Sequence, residues 1–124
     1  MAPRPAPGWL ERVEIGDDSD QLTARATLDG HSRFFDGHFP GQPVVPGIAL
    51  VGMVEAALRA RFPGARLAGL RRVKFRQMAD QGGAFDVAIA LPAPGTTRAD
   101  LRFEVRLEGQ VLADGVARVE GLTR

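Results

Sequence analysis

The chain contains no cysteine, and this absence excludes several kinds of site at once. Without a thiol there is no disulfide framework, no thiolate nucleophile and no cysteine-ligated metal. Histidine is also scarce, because only His31 and His38 are present. Imidazole groups for acid–base chemistry are therefore few. We expect neither a metal nor a redox cofactor.

An excess of charge of one sign is missing too. The 124 residues have a formal net charge of +1, and 25% of them are charged. Nothing in this balance requires a nucleic acid or a membrane as a partner. No apolar run approaches the length of a membrane span, and the initial MAPRPAPGW has no apolar core of signal-peptide length. We therefore expect a cytoplasmic protein.

The length fits one domain over residues 1–124. Residues 1–8 contain three prolines and a glycine, which predict a flexible N-terminal arm.

The central stretch, residues 34–60, predicts a loop followed by a buried helix. Five prolines and glycines fall between positions 40 and 47, where regular structure is therefore not expected. From about Gly47 to Phe62 the chain has no proline and is almost wholly apolar, which predicts a helix that ends at Pro63-Gly64. A helix that is apolar nearly all round is expected to be buried nearly all round.

Alternating apolar and polar residues on both sides of this stretch predict strands. The predicted strands cover residues 9–15, 21–29, 66–78, 84–91, 97–108 and 111–120. Gly69 is a candidate bulge, Gly109-Gln110 a candidate hairpin turn, and Asp114-Gly115 a weak point of the last strand. Short connections predict antiparallel pairing.

Residues 38–47 read HFPGQPVVPG. This run resembles, at every fixed position, the HFPGxPxxPG signature of the 3-hydroxyacyl-acyl-carrier-protein dehydratases of fatty acid synthesis, the FabZ/FabA type. A looser similarity runs from about residue 10 to residue 121. The resemblance implies the hotdog fold of the α+β class, in which a curled antiparallel sheet is wrapped around one long central helix. It also implies a homodimer or higher homo-oligomer formed by edge-to-edge pairing of sheets.

The resemblance further implies a reaction and a site. The expected reaction is dehydration of a 3-hydroxyacyl thioester, linked to acyl-carrier protein or coenzyme A. His38 corresponds to the family's base, which removes the Cα proton. The backbone N–H of Gly47, at the helix start, is expected to receive the thioester carbonyl in the manner of an oxyanion hole. Phe39 and Pro46 belong to the same substrate-binding loop.

The catalytic acid departs from the family pattern. The family places a Glu or Asp fourteen residues after the histidine, and that position is Gly52 here. Without a gap, the acid is lost. With a shift of three residues, Glu55 is the acid and Gly52 leaves room for substrate. In a second alternative, Glu55 forms an i,i+4 ion pair with Arg59. In a third, His38 works with water and no protein acid, or no dehydration occurs.

Two other groups of residues allow a structural and a functional interpretation. One is apolar and either lines an acyl tunnel or forms plain core; it comprises Phe39, Ile48, Leu50, Val51, Met53, Phe75 and Phe85. The other is basic, with its last three members expected on one strand face: Arg71, Arg72, Lys74 and Arg76. It is either a solvated face or a docking surface for an acidic carrier protein or a phosphopantetheine phosphate.

Three functions follow. The first is the dehydratase, with His38 as base. The second is a hotdog thioesterase that activates water with Glu55 or Asp36. The third is a non-catalytic acyl-binding hotdog subunit, which the glycine at position 52 favours.

Overall fold

The computed structural model describes residues 12–17, 20–28, 47–77 and 83–122. The elements they form are, in chain order, β1 Arg12–Asp17, β2 Gln21–Leu28, α1 Gly47–Arg61, β3 Arg66–Phe75, β4 Gly83–Ala90, β5 Arg98–Leu107 and β6 Gln110–Glu120. The strands form one antiparallel sheet in the order β1-β2-β4-β5-β6-β3. The predicted architecture of one helix on a curled antiparallel sheet is confirmed. The N-terminal arm and the signature loop lie outside the described residues.

Helix α1 ends one residue earlier than predicted. The N–H of Phe62 still donates to the carbonyl of Leu58 at 2.6 Å, and Pro63 then prevents a further turn. One face of the helix is buried: Ala49, Leu50, Met53, Val54, Ala57 and Leu58. The opposite face, which includes Val51 and Glu55, is half-buried. Burial nearly all round was expected, but a single sheet layer covers only one side of a helix.

The helix packs on the apolar face of the sheet, where it contacts β1 to β5. Alternate residues of the central strands point toward it and are buried: Leu22, Ala24, Ala26, Phe85, Val87, Ile89, Leu101, Phe103 and Val105. The residues between them form the outer face, which is polar along β2 and β5 and mostly alanine along β4. Among the described residues, no polar or charged side chain is buried, and no helix has the length and apolar character needed to cross a membrane.

The β5–β6 turn lies one residue before its predicted position. Its central residues are Glu108 and Gly109, with φ angles of 52° and 81°, and Leu107 pairs with Gln110. A two-residue hairpin turn of this kind needs positive φ at both central positions, which places the glycine second. Gly109-Gln110 as the turn was therefore wrong by one residue.

Strand β3 contains two irregularities. The first is a register shift between Leu67 and Gly69, which confirms the predicted bulge at Gly69. The second lies between Arg71 and Lys74, where Arg72 has a φ of 53°. A left-handed conformation in a non-glycine residue costs about 1–2 kcal/mol, so the second bulge is a strained feature of the strand.

Strand β6 is shaped to fit this second bulge. A Cβ added at Gly115 would lie 2.9 Å from the Cα of Val73. Asp114-Gly115 therefore does not weaken β6, which continues to Glu120. The glycine instead provides the space that the bulged partner strand occupies.

Candidate active site at the central helix

Helix α1 begins at Gly47, the last residue of the signature. The first N–H groups of a helix have no partner within the helix, and they lie at the positive end of its dipole. The first turn of α1 contains no acidic residue that would compete for them. This end of the helix is therefore suited to receive a developing negative charge, such as that on a thioester oxygen.

Several predicted site residues lie outside the described residues: His31, Asp36, His38, Phe39 and Pro46. Their assigned roles stay predictions. The described part of the site consists of α1 and the strands on which it packs.

The carboxylate of Glu55, in the C-terminal half of the helix, already has partners. It accepts a hydrogen bond from the backbone N–H of Leu67 at 3.3 Å and lies 3.9 Å from Nη2 of Arg59. Arg59 Nε in turn donates to the carbonyl of Ala65 at 3.2 Å. The i,i+4 pair expected as one alternative from the sequence is present, and together these contacts tie the third helical turn to the start of β3.

Glu55 is also distant from the helix start along the axis. It follows Gly47 by eight residues, which at 1.5 Å per residue corresponds to about 12 Å. Gly52, which is half-buried, is about 7.5 Å from Gly47 along the axis. A side chain at position 52 would therefore lie closer to a thioester held at the helix start than the side chain of Glu55 does.

The apolar residues proposed for an acyl tunnel do not share one environment. Leu50, Met53 and Phe85 are buried in the core, whereas Val51 is half-buried on the other helix face. Phe75 is 55% exposed on β3. The core interpretation therefore fits the first three.

No cluster of three or more His, Cys, Asp or Glu that could hold a metal ion occurs within the described ranges.

A family model described as ApeI dehydratase, of the ApeI-like family, matches residues 14–116, which is most of the chain. The chain belongs to the ApeI-like dehydratase family. A 3-hydroxyacyl-[acyl-carrier-protein] dehydratase FabZ from Oenococcus oeni is 31% identical over 90 residues. That match covers 66% of this chain but only 65% of the relative, slightly less than two thirds of its length. The FabZ of Moorella thermoacetica is 29% identical over 117 residues, which cover 83% of this chain and 82% of the relative.

Among solved structures, the dehydratase heterocomplex ApeI:P from Xenorhabdus doucetiae contains a similar chain. The TM-score is 0.71 at 23% identity, and the match covers 97% of this chain and 99% of that one. At this level of identity the similarity establishes the shared hotdog fold.

This ApeI-like chain also has a basic groove on the outer face of its sheet, with a volume of about 550 Å³. Three of the basic residues singled out in the sequence, Arg72, Lys74 and Arg76, line it together. Arg102 of β5 is a fourth cation there, and it was not predicted from the sequence. The alternation of apolar and charged residues in β5 indicates that Arg102 faces outward. The alternation does not, however, predict the order of the strands, and therefore not which strand lies beside Arg102.

Other outer-face charges form ion pairs between strands. Asp100 accepts hydrogen bonds from Arg118 at 3.3 Å and from Arg71 at 3.0 Å. The hydrogen bond from Arg118 lowers the pKa of Asp100 below its usual value, and the hydrogen bond from Arg71 lowers it further. Asp114 pairs with Arg76, and that hydrogen bond likewise lowers the pKa of Asp114.

These pKa shifts predict a loss of stability in acid. A carboxyl group with a lowered folded-state pKa stabilises fully above its unfolded pKa of about 3.9, and the contribution is lost as pH falls through the folded value. Between pH 5 and pH 3, the urea midpoint of the wild type should therefore fall more steeply than that of Asp100→Asn. Parallel curves would show that Asp100 contributes nothing to the acid sensitivity.

Proposed function

We propose that the chain dehydrates 3-hydroxyacyl thioesters to trans-2-enoyl thioesters in fatty acid synthesis or related acyl-chain synthesis. The observation that supports this most strongly is the junction at Gly47, where the last residue of the dehydratase signature is also the first residue of α1. The family membership supports the same reaction class.

His38 is the base in this mechanism. Its imidazole removes the proton from Cα, and the electron pair left on Cα forms the double bond to Cβ as the hydroxyl departs with a proton as water. Negative charge that develops on the thioester oxygen is received by the N–H of Gly47 and the positive end of the helix. Phe39 and Pro46 hold the substrate from the signature loop, and Gly52 leaves space beside the helix.

The proton for the leaving hydroxyl has two candidate sources. In one, Glu55 leaves Arg59 and Leu67 and acts as the general acid. In the other, His38 works with a water molecule, and Glu55 stays between the helix and β3. The contacts of Glu55, and its separation of about 12 Å from Gly47 along the helix axis, favour the second.

The carrier of the acyl group is an acyl-carrier protein or coenzyme A, in line with the relatives named 3-hydroxyacyl-[acyl-carrier-protein] dehydratase. We further propose that the reaction takes place in the cytoplasm, following the resemblance to the dehydratases of fatty acid synthesis.

We also propose that the chain works as a homodimer or a higher homo-oligomer. Among the described strands, β3 pairs only with β6, and its Leu70 and Phe75 are exposed by 43% and 55%. An unpaired edge strand favours pairing with another chain. A second copy along β3 would cover these side chains and approach the half-buried face of α1.

The function is tested by supplying a trans-2-enoyl thioester and following two signals together. Loss of enoyl absorbance reports hydration, the reverse of the proposed reaction, and free thiol reports thioester hydrolysis. Hydration without thiol release is expected. Thiol release alone would instead support a thioesterase, which the same fold can also accommodate.

In the same assay, Glu55→Gln distinguishes between the two candidate sources of the proton for the leaving hydroxyl. Because glutamine still accepts the N–H of Leu67, we expect hydration within a few fold of the wild type. Glu55→Ala leaves that N–H without its acceptor and should lower the free energy of unfolding by about 1–2 kcal/mol. A loss of hydration of about a hundredfold or more in Glu55→Gln, with unchanged stability, would instead identify Glu55 as the acid.

A further inference from the structure

The second bulge of β3 places extra positive charge on the outer face of the sheet. In a regular strand, every second side chain points to the same face. Arg71 donates to Asp100 on the outer face, and Lys74, three positions later, lines the basic groove there together with Arg72 and Arg76. Four basic side chains of this short segment therefore project outward, where alternation alone would allow three.

The floor of the basic groove is formed in part by residues with little or no side chain. These are Ala88 and Ala90 of β4 and Gly115 of β6. Gly115 lies against the bulge, where a Cβ would approach the Cγ2 of Val73 to 3.0 Å. Because the floor is low and the surrounding basic side chains are long, a ligand can enter between the cations.

Both carboxylates that line the groove already have arginine partners. Asp114 accepts two hydrogen bonds from Arg76, and Glu104 pairs with Arg106 at 3.1 Å. Three cations of the groove form no ion pair with any carboxylate of the described residues: Arg72, Lys74 and Arg102. The groove therefore keeps uncompensated positive charge, although the whole chain has a net charge of only +1.

The strand register sets the distance between these cations. Arg102 of β5 is opposite Val116 of β6, and Val116 is opposite Arg71, which directly precedes Arg72 on β3. The backbones of Arg102 and Arg72 are therefore two strand spacings apart, or about 10 Å. Arginine side chains are long enough to converge from this separation on a group held between them. The arrangement fits an anion longer than a single phosphate group.

The chemistry of the groove favours linked phosphates. Three of its four cations are arginines, whose planar guanidinium groups donate paired hydrogen bonds to phosphate oxygens. The volume of about 550 Å³ lies within the range of about 300–1,000 Å³ that is typical of small-molecule sites. The groove and α1 lie on opposite faces of the sheet, so a ligand in the groove does not compete with a thioester held at Gly47.

We propose that this groove, lined by Arg72, Lys74, Arg76 and Arg102, is a second binding site, separate from the candidate active site, and that its ligand carries an oligophosphate group. Inorganic oligophosphates and nucleoside polyphosphates share this chemistry. Bound phosphates neutralise the repulsion between the cations of β3 and β5, so they stabilise the folded chain. The site is independent of the proposed dehydration, because its ligand needs no acyl group.

The test is a calorimetric titration of the full chain with inorganic tripolyphosphate, with ATP and with orthophosphate, all at one ionic strength. We expect tripolyphosphate and ATP each to bind with a Kd at least about tenfold below that of orthophosphate, because linked phosphates reach more cations at once. Tighter binding of ATP than of tripolyphosphate would identify a nucleoside polyphosphate as the ligand. Equal Kd values would show that the phosphate chain alone is recognised.

A pair of matched variants locates the site. Lys74→Gln with Arg102→Gln removes one groove cation from β3 and one from β5, and it leaves the strained Arg72 backbone untouched. The control, Arg66→Gln with Arg98→Gln, removes one exposed cation from each of the same strands outside the groove. We expect the Kd of tripolyphosphate to rise about tenfold or more in the groove variant and less than about twofold in the control.

Urea unfolding gives a second measurement with the same proteins. Saturating tripolyphosphate should raise the urea midpoint of the wild type and of the control variant, but much less that of the groove variant. The midpoints without ligand show whether each variant is folded.

Three results would overturn the proposal. One is an orthophosphate Kd as low as that of tripolyphosphate, which would indicate general screening by anions. Another is an equal loss of affinity in both variants, which would assign binding to the net charge of the chain. The third is that neither tripolyphosphate nor ATP binds to the wild type.

Discussion

Replacing His38 with alanine should lower kcat/KM for hydration of a trans-2-enoyl thioester by about a hundredfold or more. Without the imidazole, no group is left at this position of the signature to transfer the Cα proton. The anchoring of the carbonyl at Gly47 would be retained, so KM should change much less than kcat. Steady-state kinetics from loss of enoyl absorbance would give both constants.

The other histidine of the chain supplies the matched control. His31 lies outside the HFPGQPVVPG run, and His31→Ala should keep activity within a few fold of the wild type. Equal losses in the two variants would indicate a shared structural role and would remove His38 as the base.

A methyl group added at position 121 should strongly destabilise the fold. Gly121 follows β6 with a φ of 74°, and a Cβ there would lie 2.1 Å from the carbonyl oxygen of Gly64. The helix–β3 connection and the end of β6 meet at this point, and Leu122, which is buried, donates its N–H to the carbonyl of Thr97. Gly121→Ala should therefore cost about 3 kcal/mol or more, from left-handed strain together with displacement of backbone.

Gly109→Ala isolates the conformational part of that cost. Gly109 has a similar φ of 81°, but apart from its own chain neighbours no atom lies within 4 Å of the added Cβ. This variant should lose only about 1 kcal/mol. Urea unfolding of both variants would give the two free energies of unfolding. Similar values would mean that the approach to Gly64 does not restrict position 121.

Much of this fold can be predicted from the sequence because its local signals agree. The apolar run after Pro46 and the stop at Pro63-Gly64 locate α1 to within one residue, and the alternation of β2, β4 and β5 identifies their inner faces. The resemblance of residues 38–47 to the dehydratase signature also predicts that the sheet curls around this helix. Local patterns of this kind are sufficient when burial alone decides which face points inward.

Features that depend on strand pairing could not be predicted. The bulge at Arg72 lies against Gly115 of β6, and this glycine looks like a strand breaker until its neighbouring strand is known. The half-buried face of α1 is a similar case. Its composition predicts burial, but a single sheet covers only one side of the helix.

The candidate site also has one part that the sequence predicts and one part that it does not. The signature identifies Gly47 as the helix start, and the structure agrees. The contact between Glu55 and the N–H of Leu67 depends on where β3 begins relative to the third turn of the helix, and no sequence spacing contains that information. The same contact explains why an acidic residue on this helix need not be catalytic.

Hydration of a trans-2-enoyl thioester in D₂O tests the central claim most directly. Addition of water across the double bond places a hydrogen from solvent on Cα and an oxygen on Cβ. We predict a 3-hydroxyacyl thioester with a single non-exchangeable deuteron on Cα, detected by mass spectrometry after return to H₂O. Recovery of the unchanged enoyl thioester across several chain lengths, or of a free acid and thiol, would contradict the dehydratase function.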